Sequence, residues 1–215
     1  MLPVVDSDAI GGSALISGLR TYNVSAGARK PLVDFMVTAL TSAGCDILFT
    51  SPPASAPFVI SFRLPTGERM GVVAYAFLCT RTPTKNRPAD ERSFQIKYGK
   101  RDGLEHTLFQ DPLLLSTTLL LGIDPTEGFF VAADPTLHSP TKFFIRLEFK
   151  DREAALIRRE GWHCWTRDRR ATTHHPERGE LLVGGAQNRL LELVKFERAA
   201  KGLSQSDRLA LACRI

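Results

Sequence analysis

Two acidic residues and a lysine follow one another in an order that suits metal-dependent cleavage of phosphodiesters. Asp134 precedes Pro135, and Glu148 and Lys150 lie at the end of a segment that alternates between apolar and polar residues. A spacing of two puts Glu148 and Lys150 on one face of a strand. Two carboxylates can hold Mg²⁺, and a lysine close to them can orient the attacking water. The three are therefore candidate catalytic residues, with Asp134 and Glu148 as the metal ligands.

A second chemistry is suggested by positive charge concentrated between positions 81 and 101. This stretch has a net charge of +5, equal to the formal net charge of the whole 215-residue chain. Lysine and arginine neutralise phosphates, while arginine, asparagine and glutamine can make paired hydrogen bonds with base edges. The segment is therefore interpreted as a DNA-binding surface. Its candidate residues are Arg81, Lys85, Asn86, Arg87, Arg92, Gln95, Lys97, Lys100 and Arg101.

A weaker basic group follows two tryptophans further along the chain. Trp162 and Trp165 fall on opposite faces of a short predicted strand, so one is expected in the core while the other could stack on an exposed base. Trp165, Arg169 and Arg170 complete the candidate DNA-binding residues. The alternative is structural: a solvated basic loop, two partly buried tryptophans, and a strand face on which Glu148 and Lys150 meet water.

Composition places the chain among soluble globular proteins. Hydrophobic residues make up 43% and charged residues 24% of the sequence, which argues against wholesale disorder, collagen and coiled coil. No apolar run approaches the roughly 18 residues that a membrane span requires. The first residues lack the basic start and long apolar run of a secretory signal, so we expect a cytoplasmic location and no membrane partner. The four cysteines show no paired spacing and are expected to stay reduced.

Hydrophobic periodicity predicts the elements that must position these residues. A helix is expected over 29–43 and a second over 151–160, and Gly184-Gly185 is expected to precede a third over 187–201. Alternation and turn residues predict strands and hairpins between the first two helices and just beyond the second. The expected strand regions are 58–64, 70–78, 94–98, 118–133 as a hairpin, 142–150 and 162–165.

This order of elements predicts an α+β fold. We expect a mostly antiparallel or mixed β-sheet, or a partly closed barrel, flanked by helices. The chain divides into an N-terminal lead segment (1–28), a single α+β DNA-recognition domain (29–201), and a C-terminal helical segment or start of a linker (202–215).

The acidic and lysine positions resemble the signature of the PD-(D/E)xK nuclease fold. This resemblance implies Asp134 and Glu148 as Mg²⁺ ligands and Lys150 as the residue that orients or activates the water. It makes a Mg-dependent DNA endonuclease domain one hypothesis for the chain.

A second resemblance depends on short, spaced segments: 86–99, 122–125, 128–131, Asp134-Pro135, His138 and Gly161-Trp162. Together they are similar to the N-terminal DNA-recognition modules of restriction and defence endonucleases. The resemblance implies a module that binds double-stranded DNA, with or without a modified base, and that needs no cofactor for binding. It also implies a separate nuclease domain in the same chain or in a partner chain.

Three hypotheses follow. The first is the DNA-binding module of a restriction or antiphage defence protein, and the second is the Mg-dependent endonuclease. The third is a scaffold or protein-interaction domain without affinity for nucleic acid.

Overall fold

A computed structural model of the protein describes residues 18–81, 87–97, 104–141, 144–169, 174–176 and 178–215, apart from the side chain of Phe144. Its described part combines helices with antiparallel and mixed sheets, so the predicted α+β class is confirmed. None of the described helices is long and apolar enough to cross a membrane.

Seven strands form the main sheet. They are β2 (Asp46–Thr50), β4 (Phe58–Arg63), β5 (Arg69–Thr80), β7 (Ser116–Asp124), β8 (Phe129–Ala133), β10 (Trp162–Asp168) and β11 (Gly179–Ala186). Their spatial order is β10-β11-β8-β7-β5-β4-β2. Neighbours are antiparallel except β5 and β7, which run parallel. In the described ranges β10 and β2 are open edges of this sheet, so the expected alternative of a partly closed barrel is wrong.

Two further strands form a ribbon over one face of the main sheet. β6 (Glu91–Lys97) and β9 (Phe144–Lys150) pair antiparallel along their whole length. This β6–β9 ribbon joins the end of β5, where Cys79 pairs with Phe94 and Thr80 with Ser93. Helix α2 (Asp151–Glu160) follows β9 directly and lies on the same side of the sheet, because Ala154 and Ile157 enter the same core as the ribbon.

The remaining helices cover the opposite face. They are α1 (Ala26–Ser42), α3 (Leu190–Ala199) and α4 (Gln205–Ala212); a pair of two-residue strands, β1 (Tyr22–Asn23) and β3 (Ser55–Ala56), lies outside the sheet. Alternation along β5 explains the layers, because Val72 and Ala74 face these helices while Val73 and Tyr75 face the ribbon. The described chain therefore has three layers: helices, main sheet, and ribbon with α2.

Two glycines let the ribbon and α2 lie close to the main sheet. A Cβ atom added at Gly122 of β7 would overlap the ring of Phe94, and one added at Gly184 of β11 would overlap the side chain of Ile157. Any larger residue at either position would push the outer layer away from the sheet.

Most predicted elements are confirmed within a few residues at each end. The helix predicted over 29–43 is α1, and the helix predicted over 151–160 is α2. The helix predicted over 187–201 is α3 (Leu190–Ala199), which follows a 3-10 turn (Gln187–Arg189). Gly184 and Gly185 precede it as expected, but they lie inside the buried strand β11, which the sequence did not predict.

The segment 202–215 contains α4. Ser204 caps this helix by accepting a hydrogen bond from the backbone N–H of Asp207. Arg208 and Ala212 are buried against the rest of the molecule. The described part of this segment is therefore integrated into the helical layer.

Candidate nucleic-acid interface

The outward face of the β6–β9 ribbon carries polar side chains, which are partly or fully exposed except for the buried Ser93. Phe94 and Ile96 of β6 enter the core, so the residues between them point away from the main sheet. This outer face, as we name it, consists of Glu91, Ser93, Gln95 and Lys97 from β6 and Arg146, Glu148 and Lys150 from β9.

Charges at one end of the outer face compensate one another. Arg146 donates to Glu91 at 2.6 Å and lies 2.9 Å from Glu148. Lys150 pairs with Asp90 at 3.1 Å. These ion pairs leave little net charge at this end, and Gln95 and Lys97 lie towards the opposite end of β6.

At that end a groove of about 210 Å³ separates the outer face from the start of α1. It is lined by Ala28, Arg29, Phe77, Leu78, Thr80, Gln95 and Lys97, and we call it the Lys97 groove. Helix α1 has no acidic residue in its first turn, and its N-cap Ser25 makes no side-chain capping hydrogen bond. The end of a helix with uncapped N–H groups favours an anion. The groove therefore combines two cationic side chains with a helix N-terminus.

Arg29 was not singled out by the sequence, where it is only one of many arginines. Its Nη1 donates to the carbonyl oxygen of Ala76 at 2.6 Å, and its guanidinium lies 5.2 Å from the centre of the Phe77 ring. Burial lowers the pKa of Arg29, which means that its charge is only partly hydrated. An anion in the Lys97 groove would offset that lost hydration.

Arg92 lies on the opposite side of β6 from the predicted surface. It is buried beside Phe94, and it contacts Asp151 at 2.6 Å, Glu127 at 2.8 Å and Asp124 at 3.4 Å. Burial by itself lowers the pKa of Arg92, but hydrogen bonds to Glu127 and Asp151 raise it above its ordinary value. This geometry removes Arg92 from the surface that a phosphate can reach.

Arg81 is partly engaged in the same cluster. Its Nη2 lies 2.9 Å from Asp151, and its guanidinium donates to the carbonyl oxygen of Ala89. Arg87 is exposed. Lys85, Asn86, Lys100, Arg101 and Arg170 lie outside the described residues, and their assignment to the DNA surface stays a prediction.

The second predicted group has structural partners. Trp165 packs against Phe149 in the core and stacks on His163 with ring centres 5.4 Å apart. Arg169 donates to the backbone oxygens of Leu137 and His175, each at 3.2 Å. Their contacts tie the end of β10 to neighbouring loops, and their proposed contact with DNA stays a prediction.

The candidate catalytic residues lie in different layers. Asp134 is buried on the helical side, where its Oδ2 accepts from Gln205 at 2.8 Å and lies 3.3 Å from Nε of Arg208. Glu148 is on the outer face of the ribbon, with the main sheet between the two carboxylates. Lys150 is beside Glu148 on that face and pairs with Asp90. The structure therefore does not bring Asp134 and Glu148 to a common cation.

No trio of acidic, histidine or cysteine side chains in the described part of the chain is arranged to hold a metal ion.

Asp134 belongs to a buried charge cluster beside a cavity of about 430 Å³. Arg208 Nη2 donates to both oxygens of Glu197, at 2.7 and 2.8 Å, and burial raises the pKa of Glu197 to about 7 against the lowering by Arg208. The helical periodicity of the sequence could have indicated that Glu197 is buried, because Glu197 lies three residues after Val194 on the inward face of α3.

The region from β5 into α3 carries the decisive similarity. Residues 70–194, more than half of the chain, match the methylase-associated X1 family. The chain belongs to this family. Methylase-associated X1 domains are found in restriction-modification-associated proteins, which agrees with the defence context expected from the sequence. The match covers the whole β6–β9 ribbon. Neither the curated proteins nor the solved structures gave a significant match.

Proposed function

We propose that this methylase-associated X1 protein is a DNA-binding module of a restriction-modification or antiphage defence system. The observation that carries the proposal is the Lys97 groove, where Arg29 and Lys97 lie at the uncapped start of α1. In this proposal one phosphate of duplex DNA occupies the groove, and Gln95 lies beside it within reach of a base edge or a second phosphate.

The basic run supports the same surface. Lys97 ends β6 on the outer face, and the residues that follow it in sequence include Lys100 and Arg101. Arg87 precedes β6 and is exposed. A duplex phosphate backbone lying along this end of the ribbon would meet several cations in succession. Affinity should therefore fall steeply with salt.

The test is fluorescence anisotropy with a labelled duplex at several salt concentrations. Removal of two phosphate contacts in Arg87→Ala/Lys97→Ala should weaken binding and reduce the slope of log K against log salt by about 2. Lys195→Ala is the matched control, because Lys195 is an exposed lysine on the helical layer, away from the ribbon. An affinity and a salt slope unchanged in the double variant would refute the surface.

A competition series extends the test to the DNA itself. Unlabelled competitors are titrated against one labelled duplex. They are duplexes with unmodified bases, with cytosine methylated at C5 or with adenine methylated at N6, and single strands of the same sequence. A preference for a modified duplex would show modified-base reading, while equal competition would restrict the module to backbone binding.

One observation favours protein interaction as a second function. Three consecutive leucines, Leu113 to Leu115, are 73%, 54% and 70% exposed. Asp111 fixes their loop by accepting hydrogen bonds from the backbone N–H groups of Leu113 and Ser116. Exposed apolar clusters on ordered loops are typical of interaction sites. In this proposal Leu113→Ser/Leu115→Ser abolishes co-elution with a methyltransferase subunit of the same system and leaves DNA affinity unchanged.

Mg-dependent cleavage through Asp134, Glu148 and Lys150 stays a hypothesis. It predicts that the protein nicks plasmid DNA in Mg²⁺ or Mn²⁺ and that Glu148→Ala abolishes nicking. No distance or contact among the described residues favours it over the binding module.

A further inference from the structure

Cys164 and Cys213 form a thiol pair at the junction of β10 and α4. Their Sγ atoms are 3.5 Å apart, although the residues are separated by 49 positions in sequence. A disulfide bond requires about 2.05 Å between sulfur atoms. The two sulfurs therefore need to approach by only about 1.5 Å, and Cys213, as the C-cap of α4 at an exposed end, has room to move.

Solvent reaches this pair. Cys213 is exposed and Cys164 is half-buried. Both line a cavity of about 680 Å³ together with Gly161, Trp162, Asn188 and Arg189. A small oxidant such as a peroxide can enter a cavity of this size.

The other two cysteines are in different surroundings. Cys45 is buried in the core below α1, and the Sγ of Cys79 lies between the ribbon and Gly122 of β7. Burial raises the pKa of both thiols. Reactivity follows thiolate character and access, so oxidation should begin at the exposed Cys213, and its neighbour Cys164, 3.5 Å away, is the thiol placed to react next.

We propose that Cys164 and Cys213 are a reversible redox modification site, oxidised by peroxides to an intramolecular disulfide. The Cys213 thiolate attacks one peroxide oxygen, which breaks the O–O bond, releases hydroxide and leaves a sulfenic acid on Cys213. Cys164 then loses its proton and attacks the Cys213 sulfur. The S–S bond forms, the S–O bond breaks, and the hydroxyl group leaves as water. Peroxide accepts two electrons, and a dithiol reductant restores both thiols by exchange.

Burial and the neighbouring Cys213 raise the pKa of Cys164 to about 12. This direction supports the order of events, because Cys164 is protonated at neutral pH while the more exposed Cys213 reacts with peroxide first. Cys164 becomes a nucleophile only as its proton passes to the departing hydroxyl group, and the 3.5 Å separation of the two sulfurs favours that step. The crosslink would tie α4 to β10. It does not involve the Lys97 groove and is independent of the proposed DNA binding.

The experiment uses the full chain, reduced and then freed of reductant. Samples receive hydrogen peroxide with or without urea, free thiols are blocked with N-ethylmaleimide, and intact and peptide masses are measured. We expect the folded protein to lose two hydrogen atoms, to yield a linked Cys164–Cys213 peptide at least tenfold faster than the urea-unfolded chain, and to recover both thiols with dithiothreitol.

Variants make the result specific. Cys213→Ser, at an exposed position, should abolish the linked peptide, and Cys164→Ser should leave Cys213 to advance to sulfinic acid. Cys45→Ser should retain the link. Sulfinic acid on Cys213 of the unmodified protein without any link, a link formed equally fast in urea, or disulfide-linked dimers in place of the intramolecular bond would each overturn the proposal.

Discussion

Arg92→Met should destabilise the protein without weakening DNA binding by the folded molecule. Arg92 is buried, and its guanidinium contacts three carboxylates, those of Asp124, Glu127 and Asp151. Methionine keeps most of the apolar stem beside Phe129 and removes only the charge and its hydrogen bonds. The perturbation therefore isolates the electrostatic contribution of Arg92.

The expected loss is about 3 kcal/mol. Removing one partner of a buried ion pair costs about 3–5 kcal/mol, because the other partner stays buried without compensation. The lower end applies here, because the three carboxylates are 16–31% exposed and because Arg81 still contacts Asp151 and Arg158 still contacts Glu127. With a urea m-value of about 2–3 kcal/mol/M, the unfolding midpoint should fall by about 1–1.5 M.

Urea unfolding monitored by circular dichroism measures this change. Arg87→Met is the control, because Arg87 is an exposed arginine of the same basic run; its expected effect is within about 0.5 kcal/mol. A loss below about 1 kcal/mol for Arg92→Met, or equal losses in the two variants, would refute the structural role of Arg92.

Acid unfolding provides a second readout of the same cluster. The hydrogen bond from Arg92, together with the charges of Arg92 and Arg81, holds the pKa of Asp151 below its usual range. A carboxyl with a lowered pKa stabilises the folded state above its unfolded pKa of about 3.9, and this contribution is lost as the pH falls through the folded value. The stability difference between the unmodified protein and Arg92→Met should therefore shrink below about pH 4.

Three further predictions concern stability, each measured by urea unfolding. Burial raises the pKa of Glu197 in the folded protein to about 7, above its unfolded value of about 4.3, so the free energy of unfolding should fall as the pH rises from about 4.3 to 7. Glu197→Gln should remove that decline, and a variant with the same pH profile as the unmodified protein would contradict the raised pKa of Glu197. Gly122→Ala should cost about 1–3 kcal/mol because its methyl group overlaps Phe94, and a neutral result would mean that the ribbon lies farther from β7. Leu114 has a φ of 58°, so Leu114→Gly should raise stability by up to about 1 kcal/mol; a substantial loss would contradict this backbone geometry.

The parts of the fold that sequence reasoning recovered are those with strong local patterns. Alternation identified β4 and β9, and an apolar run after a turn identified β5. Gly161, with a φ of 76°, marks the end of α2 as expected. β11 escaped because both its faces are buried and two of its positions are glycine, which in sequence looks like a loop. The parallel pairing of β5 with β7 depends on long-range contacts that no local pattern encodes.

The site was recovered less completely, for reasons visible in particular residues. Lys97 and Gln95 are on the outer face as alternation predicts. The same alternation puts Arg92 beside Phe94 in the core, a signal that counting charges along the chain overlooks. The separation of Asp134 from Glu148 could not be foreseen, because it depends on which layer each strand joins. Arg29 and the Cys164 and Cys213 pair come together only through tertiary structure.

The parallel pair at the centre of the main sheet has a wider consequence. Two parallel strands cannot be joined by a tight turn, so the chain must travel from the end of β5 back to the start of β7. This crossover connection contains β6 and the most basic stretch of the sequence. Doubling the length of such a connection costs only about 0.6 kcal/mol in closure entropy. The connection can therefore change in length or sequence while β5 and β7 stay in register.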